Sequence, residues 1–398
     1  MTEKMKPSGF DYLGNIPASW DAKRFKYCVQ ICNGGEYADI EVEEGGYPVI
    51  GSGGEFARAS KYCYRGESVL LGRKGTVDKP LYVNDAFWCV DTMFYTKAKA
   101  GMVPKFLYYC ALGFRFDYYV TATALPSMTQ KDLGSEMIAV PPTDEQHAIA
   151  DYLDVQCIKI DSVIADIEKQ IETLQKYKKS LITEAVTRGL DRSVPMKDSG
   201  VNWVGKIPAH WSVKRLKYVM NNFDSQRKPI EAQNRSQDGD VLYDYYGASG
   251  AIDKIDDYIF DETALLIGED GANLVLRHLP LIYIATGKYW VNNHAHILRP
   301  KAESDLYFMA HQMEIIDYSL LITGSAQPKL SQENLNNVML VVPPLEEQLE
   351  IATFLNQKVT VIDEIIGNKQ KQLDAIRQHK KSLIYEYVTG KKRVAEVN

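Results

Sequence analysis

The chain contains the same sequence frame twice, and this repeat constrains the fold more than any other feature. Residues 5–29 and 196–220 align at an offset of 191 and share 13 identities in 25 positions, where unrelated segments would share about one or two. Residues 140–187 and 342–389 align at an offset of 202 and share 21 identities in 48 positions. Because 202 − 191 = 11, the second copy has gained eleven residues between its similar ends. Such a duplication predicts two domains of similar structure.

The middle of each copy has diverged, although a skeleton of strands and turns is still visible. At an offset of 196, Gly51-Ser52-Gly53-Gly54 matches residues 247–250, and residues 69–75 match residues 265–271. Apolar runs that end in glycine are typical of strands feeding tight turns. We therefore predict that each middle is a domain of short strands with a few helices. A duplicated enzyme would keep its active site in the similar part, so dissimilar centres favour recognition of two different ligands.

The second similar block of each copy has the pattern of a long helix. Each block opens with a Pro-Pro pair, which disfavours helix before it, and acids that suit a helix N-terminus follow. Side chains at a 4-3-4-3 spacing then coincide between the copies: Ile160, Ile164, Ile167, Ile171, Leu174 and Leu181 match Ile362, Ile366, Lys369, Leu373, Ile376 and Leu383. This heptad seam predicts that the helices pair with each other; alternatively, each packs separately on its own domain. Some thirty residues in an antiparallel pair would span about 45 Å, which suits two modules reading DNA about one turn apart.

The composition limits the class of protein. Lys and Arg number 46 and Asp and Glu number 52, which gives a formal charge of −6. This acidity lowers the expectation of nucleic-acid binding, since phosphate contacts need cations. No apolar run reaches eighteen residues and the N-terminus is polar, so we expect a cytoplasmic protein without a membrane span or signal peptide. The six cysteines form no paired C-x-x-C motif, which favours free thiols over a metal site.

Several motifs resemble those of the specificity (S) subunits of type I restriction–modification systems. The matching segments are Gly14-x-Ile16-Pro17-x-x-Trp20 with its repeat at 205–211, Pro-Pro-x-x-Glu-Gln at 141–146 and 343–348, Gly72-Arg73-Lys74-Gly75-Thr76-Val77, and Val291-Asn292-Asn293-His294-Ala295-His296. They occur in the expected order and cover nearly the whole chain. One position departs from the pattern, because Asp78 stands where a glycine is expected, and its acid could reshape or weaken a contact there.

The resemblance implies an α+β fold with pseudo-two-fold symmetry. Two similar globular α/β target recognition domains of short strands and helices, at residues 1–142 and 198–344, would be joined by two long helices that form an antiparallel coiled coil. The central spacer helix would lie at residues 143–197 and the distal one at residues 345–398. Each domain would read one half of a bipartite, asymmetric target in double-stranded DNA. The helices would dock two methyltransferase (modification) subunits, and restriction (translocase) subunits can join them.

The resemblance also implies that this chain is not an enzyme and holds neither cofactor nor metal, because S-adenosylmethionine would bind to the partner methyltransferase subunits. The residues agree with this expectation. The chain has no Asn/Asp-Pro-Pro-Tyr/Phe loop to hold a flipped base and no Gly-x-x-x-x-Gly-Lys-Ser/Thr phosphate loop. Two alternatives stay open, namely a self-contained DNA-modifying enzyme and a DNA-independent scaffold that pairs two partners through its helices.

Candidate DNA contacts in the first domain lie in two glycine-rich turns. Arg73 is suited to guanine O6 and N7 in the major groove and Lys74 to a phosphate, and Thr76 follows in the same turn. Ser52, in the other turn, offers a hydroxyl or a close approach of the backbone. A solvated turn is the plain alternative for both.

The matching turn of the second domain is acidic. Glu269 and Asp270 repel phosphate, so we expect Glu269 to meet a base edge, for instance by accepting from cytosine N4. Asn273 and Arg277 follow and would supply further contacts.

Two other segments of the second domain add candidates. Asn293 and His294 are predicted to face DNA, and His296 would share the same face of a strand as His294. Two histidines alone make a metal site a minor alternative, and a structural histidine is a plain one. The loop before the second long helix contributes the last candidates, which are Ser325, Gln327 and Lys329.

Overall fold

The chain divides into two units, and each unit combines one recognition region with parts of both long helices. The computed structural model describes residues 4–119, 126–324 and 328–394. The first unit comprises the described residues up to Glu168 and those from Gln370 onwards, and the second unit is Lys169–Lys369.

The recognition region of the first unit consists of short strands and four short helices within the described residues. The strands are β1 (Met5–Pro7), β2 (Asn15–Pro17), β3 (Asp21–Arg24), β4 (Val29–Asn33), β5 (Tyr47–Gly51), β6 (Gly54–Ala59), β7 (Tyr64–Arg65), β8 (Ser68–Gly72), β9 (Leu81–Val83), β10 (Ala86–Cys89), β11 (Met93–Ala98) and β12 (Met137–Val140). The helices are α1 (Phe25–Cys28), α2 (Pro104–Leu112), α3 (Phe116–Tyr119) and α4 (Gln130–Ser135), and the long α5 (Thr143–Arg188) follows.

The recognition region of the second unit repeats this order with small additions. Its strands are β13 (Met196–Asp198), β14 (Lys206–Pro208), β15 (Ser212–Arg215), β16 (Met220–Asn222), β17 (Tyr243–Gly247), β18 (Gly250–Ile255), β19 (Phe260–Asp261), β20 (Ala264–Gly268), β21 (Ile282–Ala285), β22 (Lys288–Val291), β23 (Ala295–Pro300), β24 (Ile322–Thr323), β25 (Lys329–Leu330) and β26 (Met339–Val342). Its helices are α6 (Leu216–Val219), α7 (Asn273–Leu276), α8 (Leu306–Ile315) and α9 (Gln332–Asn336), before the long α10 (Leu345–Val388).

The two units share one sheet topology, which confirms the prediction of two similar domains. One four-stranded sheet has the order β4-β11-β8-β9 in the first unit and β16-β23-β20-β21 in the second. The other has the order β6-β5-β10-β7 and β18-β17-β22-β19. In both units, the strand before the long helix pairs antiparallel with a strand of the N-terminal block, as β12 with β3 and β26 with β15. The predicted apolar runs are the strands β8 and β20, and all their residues are buried.

The repeated motifs fix the start of each long helix. The indole nitrogens of the buried Trp20 and Trp211 donate to Glu145 and Glu347, at 2.9 and 2.8 Å. Buried Gln146 accepts from the backbone nitrogen of Val103 at 2.9 Å and donates to the carbonyl of Pro141 at 3.0 Å. Gln348 makes the matching bonds in the second unit, to the nitrogen of Asp305 and the carbonyl of Pro343. The Pro-Pro-x-x-Glu-Gln motif is therefore a structural joint between sheet and helix.

The two long helices pair with each other, as the heptad seam predicts, and they run in antiparallel directions, as the resemblance implies. All twelve seam positions are buried or half-buried. In the first unit, Lys380 on α10 forms an ion pair with Asp161 on α5 at 2.6 Å, and Arg377 pairs with Glu168 at 2.6 Å. In the second unit, Lys178 on α5 pairs with Asp363 on α10 at 2.7 Å. The N-terminal half of each helix thus lies against the C-terminal half of the other.

The helix lengths refine the sequence estimate. Helix α5 has 46 residues and α10 has 44, which is more than the thirty counted from the repeat. The predicted domain boundaries at 142/143 and 344/345 fall at the first residues of these helices. Strand β13 crosses the predicted boundary at 197/198.

The structure bears on two expectations from the composition, which are free thiols and the lack of a membrane span. The cysteines Cys28, Cys32, Cys63, Cys89, Cys110 and Cys157 are free thiols, and four of them are buried. Across the described parts of the chain, no helix combines the length and the apolar character needed to cross a membrane.

Candidate nucleic-acid interface

Backbone hydrogen bonds join the predicted contact loops of the first unit into one surface. The backbone nitrogens of Arg73 and Lys74 donate to the carbonyl of Thr92, at 2.9 and 3.1 Å. The nitrogen of Gly75 donates to the carbonyl of Pro126, and the nitrogen of Met128 donates to the carbonyl of Arg73, both at 2.9 Å. We call residues 73–76, 91–92 and 126–128, with the adjoining hairpin tip at 52–53, the first loop cluster.

The second unit joins its corresponding loops by the same bonds. The nitrogen of Glu269 donates to the carbonyl of His294 at 2.9 Å, and the nitrogen of Gly271 donates to Pro328 at 3.0 Å. The nitrogen of Leu330 donates to Glu269 at 2.7 Å. We call residues 269–272, 293–294 and 328–330, with the hairpin tip at 248–249, the second loop cluster. The candidates chosen from the sequence lie in the segments 52–53, 73–76, 269–272, 293–294 and 328–330 of these clusters.

Glycines make this loop geometry possible. Gly75 and Gly271 have φ angles of 81° and 98°, which L side chains rarely adopt. At Gly72, a Cβ atom would stand 2.4 Å from the carbonyl oxygen of Thr76, and at Gly268 it would stand 2.6 Å from that of Ala248. Each strand must therefore end in glycine for its loop to fold back.

In the first loop cluster, the predicted side chains differ in how free they are. Lys74 and Thr76 are exposed, and Ser52 is half-buried at the hairpin tip. The guanidinium of Arg73 donates to the carbonyl of Asp91 at 3.2 Å and lies 5.8 Å from the ring centroid of Phe94. Arg73 is thus already oriented by backbone and ring, whereas Lys74 points into solvent. Asp78, the departure from the family pattern, is exposed just beyond this loop.

In the second loop cluster, the expected base contact by Glu269 needs correction. The side chain is buried, and its carboxylate forms ion pairs with Arg227 and with Lys329, the latter at 2.9 Å. Burial opposes ionisation of Glu269, but the hydrogen bonds from Lys329 and Arg227 and the charge of His296 outweigh it and lower its pKa. This carboxylate is therefore an internal partner of two cations and is not presented to a base.

The expectation that His294 and His296 share one face is also wrong. His294 lies in the turn before β23, is exposed, and contacts the Asp270 carboxylate at 2.8 Å. His296 lies within β23 and is fully buried, with Nδ1 2.5 Å from Asp224 Oδ2 and Nε2 2.8 Å from the carbonyl of Leu330. The reason is that the strand begins only at Ala295, so the alternation of a strand does not reach His294.

Asn273 and Arg277 brace a loop, which does not match the contact role expected of them. The amide of Asn273 donates to the carbonyls of Leu279 and Pro280, at 3.1 and 3.2 Å, and its oxygen accepts from the nitrogen of Leu279. Arg277 has a φ of 54° and donates to the carbonyls of residues 314 and 316. Both side chains hold the connection from α7 to β21.

The remaining candidates divide into two groups. Asn293 and Lys329 are exposed at the second loop cluster. Ser325 and Gln327 lie outside the described residues.

Sequence reasoning missed Asp224 and Arg227, which are brought to the cluster by a turn after β16. No sequence signal marks them, because burial of a charged side chain depends on partners that are distant along the chain.

Known proteins share both the sequence pattern and this architecture. Residues 20–173 and 208–375 match the family described as type I restriction modification DNA specificity domain. The chain is 24% identical to a putative type I restriction enzyme MjaX specificity subunit and 25% identical to the MjaVIII specificity subunit, both from Methanocaldococcus jannaschii. These alignments cover 96% of this chain, and 96% and 95% of the relatives.

A solved structure shows the same fold at low sequence identity. A chain from a study of complex assembly and conformational transition of the type I R-M system is 13% identical, with a TM-score of 0.66, over 95% of this chain and 99% of that one. The two family matches fall one on each repeat, as the duplication requires. The chain belongs to the type I restriction–modification DNA specificity family, as a specificity subunit with two recognition domains that serves DNA recognition and not catalysis.

Proposed function

We propose that this specificity subunit reads a bipartite, asymmetric DNA target, with one half-site contacted by each loop cluster. The observation that carries this proposal is the pair of loop clusters. They have the same pattern of backbone hydrogen bonds within each unit, but their side chains differ. Arg73, Lys74 and Thr76 occupy one cluster, while Glu269 and Asp270 occupy the matching loop of the other. Two loop clusters with the same backbone arrangement and different side chains are suited to contact two different base sequences.

The two clusters would engage DNA by different chemistry. Lys74 is free for a phosphate, and Arg73 would exchange its carbonyl contact for a guanine edge. In the second cluster, Glu269 is paired internally with Arg227 and Lys329, and Asp270 contacts the ring of His294. The exposed Asn293, with His294 beside it, is then the polar group best suited to a base edge there.

The helices and the family support a proposal for the partners. The antiparallel pair α5–α10 offers two similar surfaces, which suits docking of two methyltransferase subunits in the cytoplasm, with restriction subunits joining them. S-adenosylmethionine would then bind to the methyltransferase subunits. The specificity chain would bring no cofactor of its own, and its role would be to recognise the DNA sequence.

The test exchanges one reading region. Residues 30–139 are replaced by the equivalent segment of a related specificity subunit, and methylated adenines are mapped in a genome that expresses the complex. We expect one half of the recognised sequence to change while the other half stays. Methylation at the original bipartite site would contradict the assignment. Binding of S-adenosylmethionine by the purified chain alone, measured by calorimetry, would instead favour a self-contained enzyme.

A further inference from the structure

A buried group of charged side chains lies directly beneath the second loop cluster. We call Asp224, Arg227, Glu269, His296 and Lys329 the charge cluster. Asp224, Glu269 and His296 are buried, whereas the side chain of Lys329 is half exposed. The five residues come from four separate places in the chain, so the charge cluster is assembled only by folding.

His296 joins three elements through one ring. Its Nδ1 lies 2.5 Å from Asp224 Oδ2, and its Nε2 lies 2.8 Å from the carbonyl oxygen of Leu330. A carbonyl can only accept, so Nε2 carries a proton and donates it to the strand that follows the loop. The other oxygen of Asp224 accepts from the backbone nitrogen of Ile297 at 2.9 Å. The ring therefore ties β23 to β25 and to the turn after β16.

Glu269 gathers the cations of the same group. Lys329 Nζ lies 2.9 Å from Glu269 Oε1, and Arg227 donates to Oε2 of the same carboxylate. Arg227 also donates to the carbonyl of Ala295 at 3.0 Å and to that of Asn293 at 3.4 Å. The backbone that carries Asn293 and the side chain of Lys329 are thus both held by groups connected to Glu269.

The alternative interpretation of the charge cluster is a metal-binding site. Asp224, Glu269 and His296 each offer a ligand atom, and these atoms lie within 4.8 Å of one another. However, both oxygens of Glu269 already bind cationic side chains, and both ring nitrogens of His296 have partners. The arrangement is satisfied by Arg227 and Lys329 in the way that a metal would satisfy it.

Among its described residues, the first unit builds its loop cluster without such a group. By strand register, Glu269 and His296 correspond to Arg73 and Phe94, at offsets of 196 and 202. There, the guanidinium lies over the aromatic ring. The charge cluster is therefore a device of the second unit, although the backbone bonds that it supports are common to both units.

We propose that Glu269, His296 and Lys329 are positioning residues for reading the second half-site, since together they hold the loops that present Asn293 and His294. This inference rests on the proposed function and adds to it. It assigns to Lys329 a role in sequence discrimination that a phosphate contact would not have, because phosphate contacts carry no sequence information directly.

The experiment uses the assembled complex of the full chain with its methyltransferase subunits. Three duplexes are needed: the site mapped by methylation, the same site with one base pair changed in the first half, and one changed in the second half. Discrimination is the dissociation constant of an altered duplex divided by that of the cognate duplex. For Glu269→Gln, we expect discrimination at the second half-site to fall about tenfold. The ratio for the first half-site should stay within about twofold.

Lys329 provides the variants that keep the test decisive if Glu269→Gln fails to fold. Lys329→Met should lower discrimination at the second half-site, and Lys329→Arg should restore it. Uniformly weaker binding to all three duplexes by Lys329→Met would show a phosphate contact and overturn the proposal. Asp244→Asn, which breaks the exposed pair with Lys254 in the same unit, is the control and should change neither ratio.

Three other outcomes would contradict the positioning role or the proposed function. Unchanged discrimination in Glu269→Gln and Lys329→Met would overturn the positioning role. Stabilisation of the wild-type chain by Zn²⁺ or Mn²⁺ that Glu269→Gln abolishes would show a metal site in its place. If the wild-type complex binds the cognate duplex and the duplex changed in the second half equally well, the proposed function fails, independently of any variant.

Discussion

Single glycines decide whether the reading loops can form. Gly75 has a φ of 81° and open space around its Cα, so that only its backbone conformation forbids a side chain. Gly53, at the nearby hairpin tip, also has open space but no positive φ. The two positions therefore separate the effect of conformation from the effect of contact.

Replacing these glycines by alanine should give different costs. Gly75→Ala should lower the free energy of unfolding by about 1–2 kcal/mol, because an L residue is strained in the left-handed region. Gly53→Ala should change it by less than about 0.5 kcal/mol. Urea denaturation of the two variants measures both values. Equal effects would mean that the backbone at Gly75 relaxes without cost.

The ion pairs of Glu269 should make stability depend on pH in a defined direction. Its pKa is lower in the folded chain than usual, so its contribution is present above the ordinary glutamate pKa and is lost as the pH falls through the folded-state value. The wild type should exceed Glu269→Gln by about 3 kcal/mol near neutral pH, and this gap should shrink below about pH 4. Urea titrations at neutral and acid pH measure the gap. A gap that widened in acid would contradict the pKa direction.

At the scale of elements, the two long helices are where sequence and structure agree most closely. Their seam positions and their first residues follow from heptad spacing and the Pro-Pro motif, and their antiparallel direction agrees with what the family resemblance implies. Apolar periodicity reports burial directly, because each buried position recurs at a fixed interval along one helix. Each helix runs from one unit into the other, so its length is a property on which the DNA target should depend.

Inserting one heptad into each helix should change the target. Seven residues after Glu168 and seven after Lys369 preserve the seam and add about 10 Å of helix. We expect the unread gap of the methylated site to lengthen by about three base pairs, or methylation to be lost. Mapping methylated adenines measures this. An insertion of four residues, which breaks the heptad, is the control, and an unchanged target after the seven-residue insertion would refute the spacer role.

The roles of polar side chains in and beside the turns were the part that the sequence could not predict. The loops were found correctly, because glycine and apolar runs mark strand ends. However, Glu269, His296, Asn273 and Arg277 turn inward to partners that are 6 to 72 positions away along the chain. A charged residue in a turn looks the same in sequence whether it meets solvent, a base or a buried cation, so side-chain roles there need tertiary contacts.

On the scale of the whole molecule, charge is distributed unevenly. Residues 198–344 carry 13 Lys and Arg against 18 Asp and Glu, a balance of 13 − 18 = −5, out of the formal charge of −6 for the chain. Several of the few cations in this segment are engaged with acids of their own unit, such as Arg227, Arg235 and Lys254. The second recognition region therefore has few cations to offer to phosphates, and partner subunits are expected to supply that attraction.

The isolated chain should accordingly bind random duplex weakly. At physiological salt, we expect a dissociation constant above about 1 μM, which is the tight limit of typical non-specific binding. The assembled complex should bind the same duplex more tightly and with a steeper dependence on salt. Fluorescence anisotropy over a salt series measures both. Tight binding of random DNA by the chain alone would contradict this division of labour.

The order in which the units can be completed during synthesis differs from their order in the sequence. The second unit is one uninterrupted stretch, whereas the core of the first unit includes Leu383, Ile384, Tyr387 and Val388 from the end of α10. Lys391 then bonds to the carbonyls of Leu13 and Asn15. On the ribosome, the recognition region of the first unit must therefore wait for the end of α10, while the second unit can already fold. The first unit has the longer-range contacts, so we expect its assembly to be the slower step in folding, during which its apolar surface stays exposed for longer.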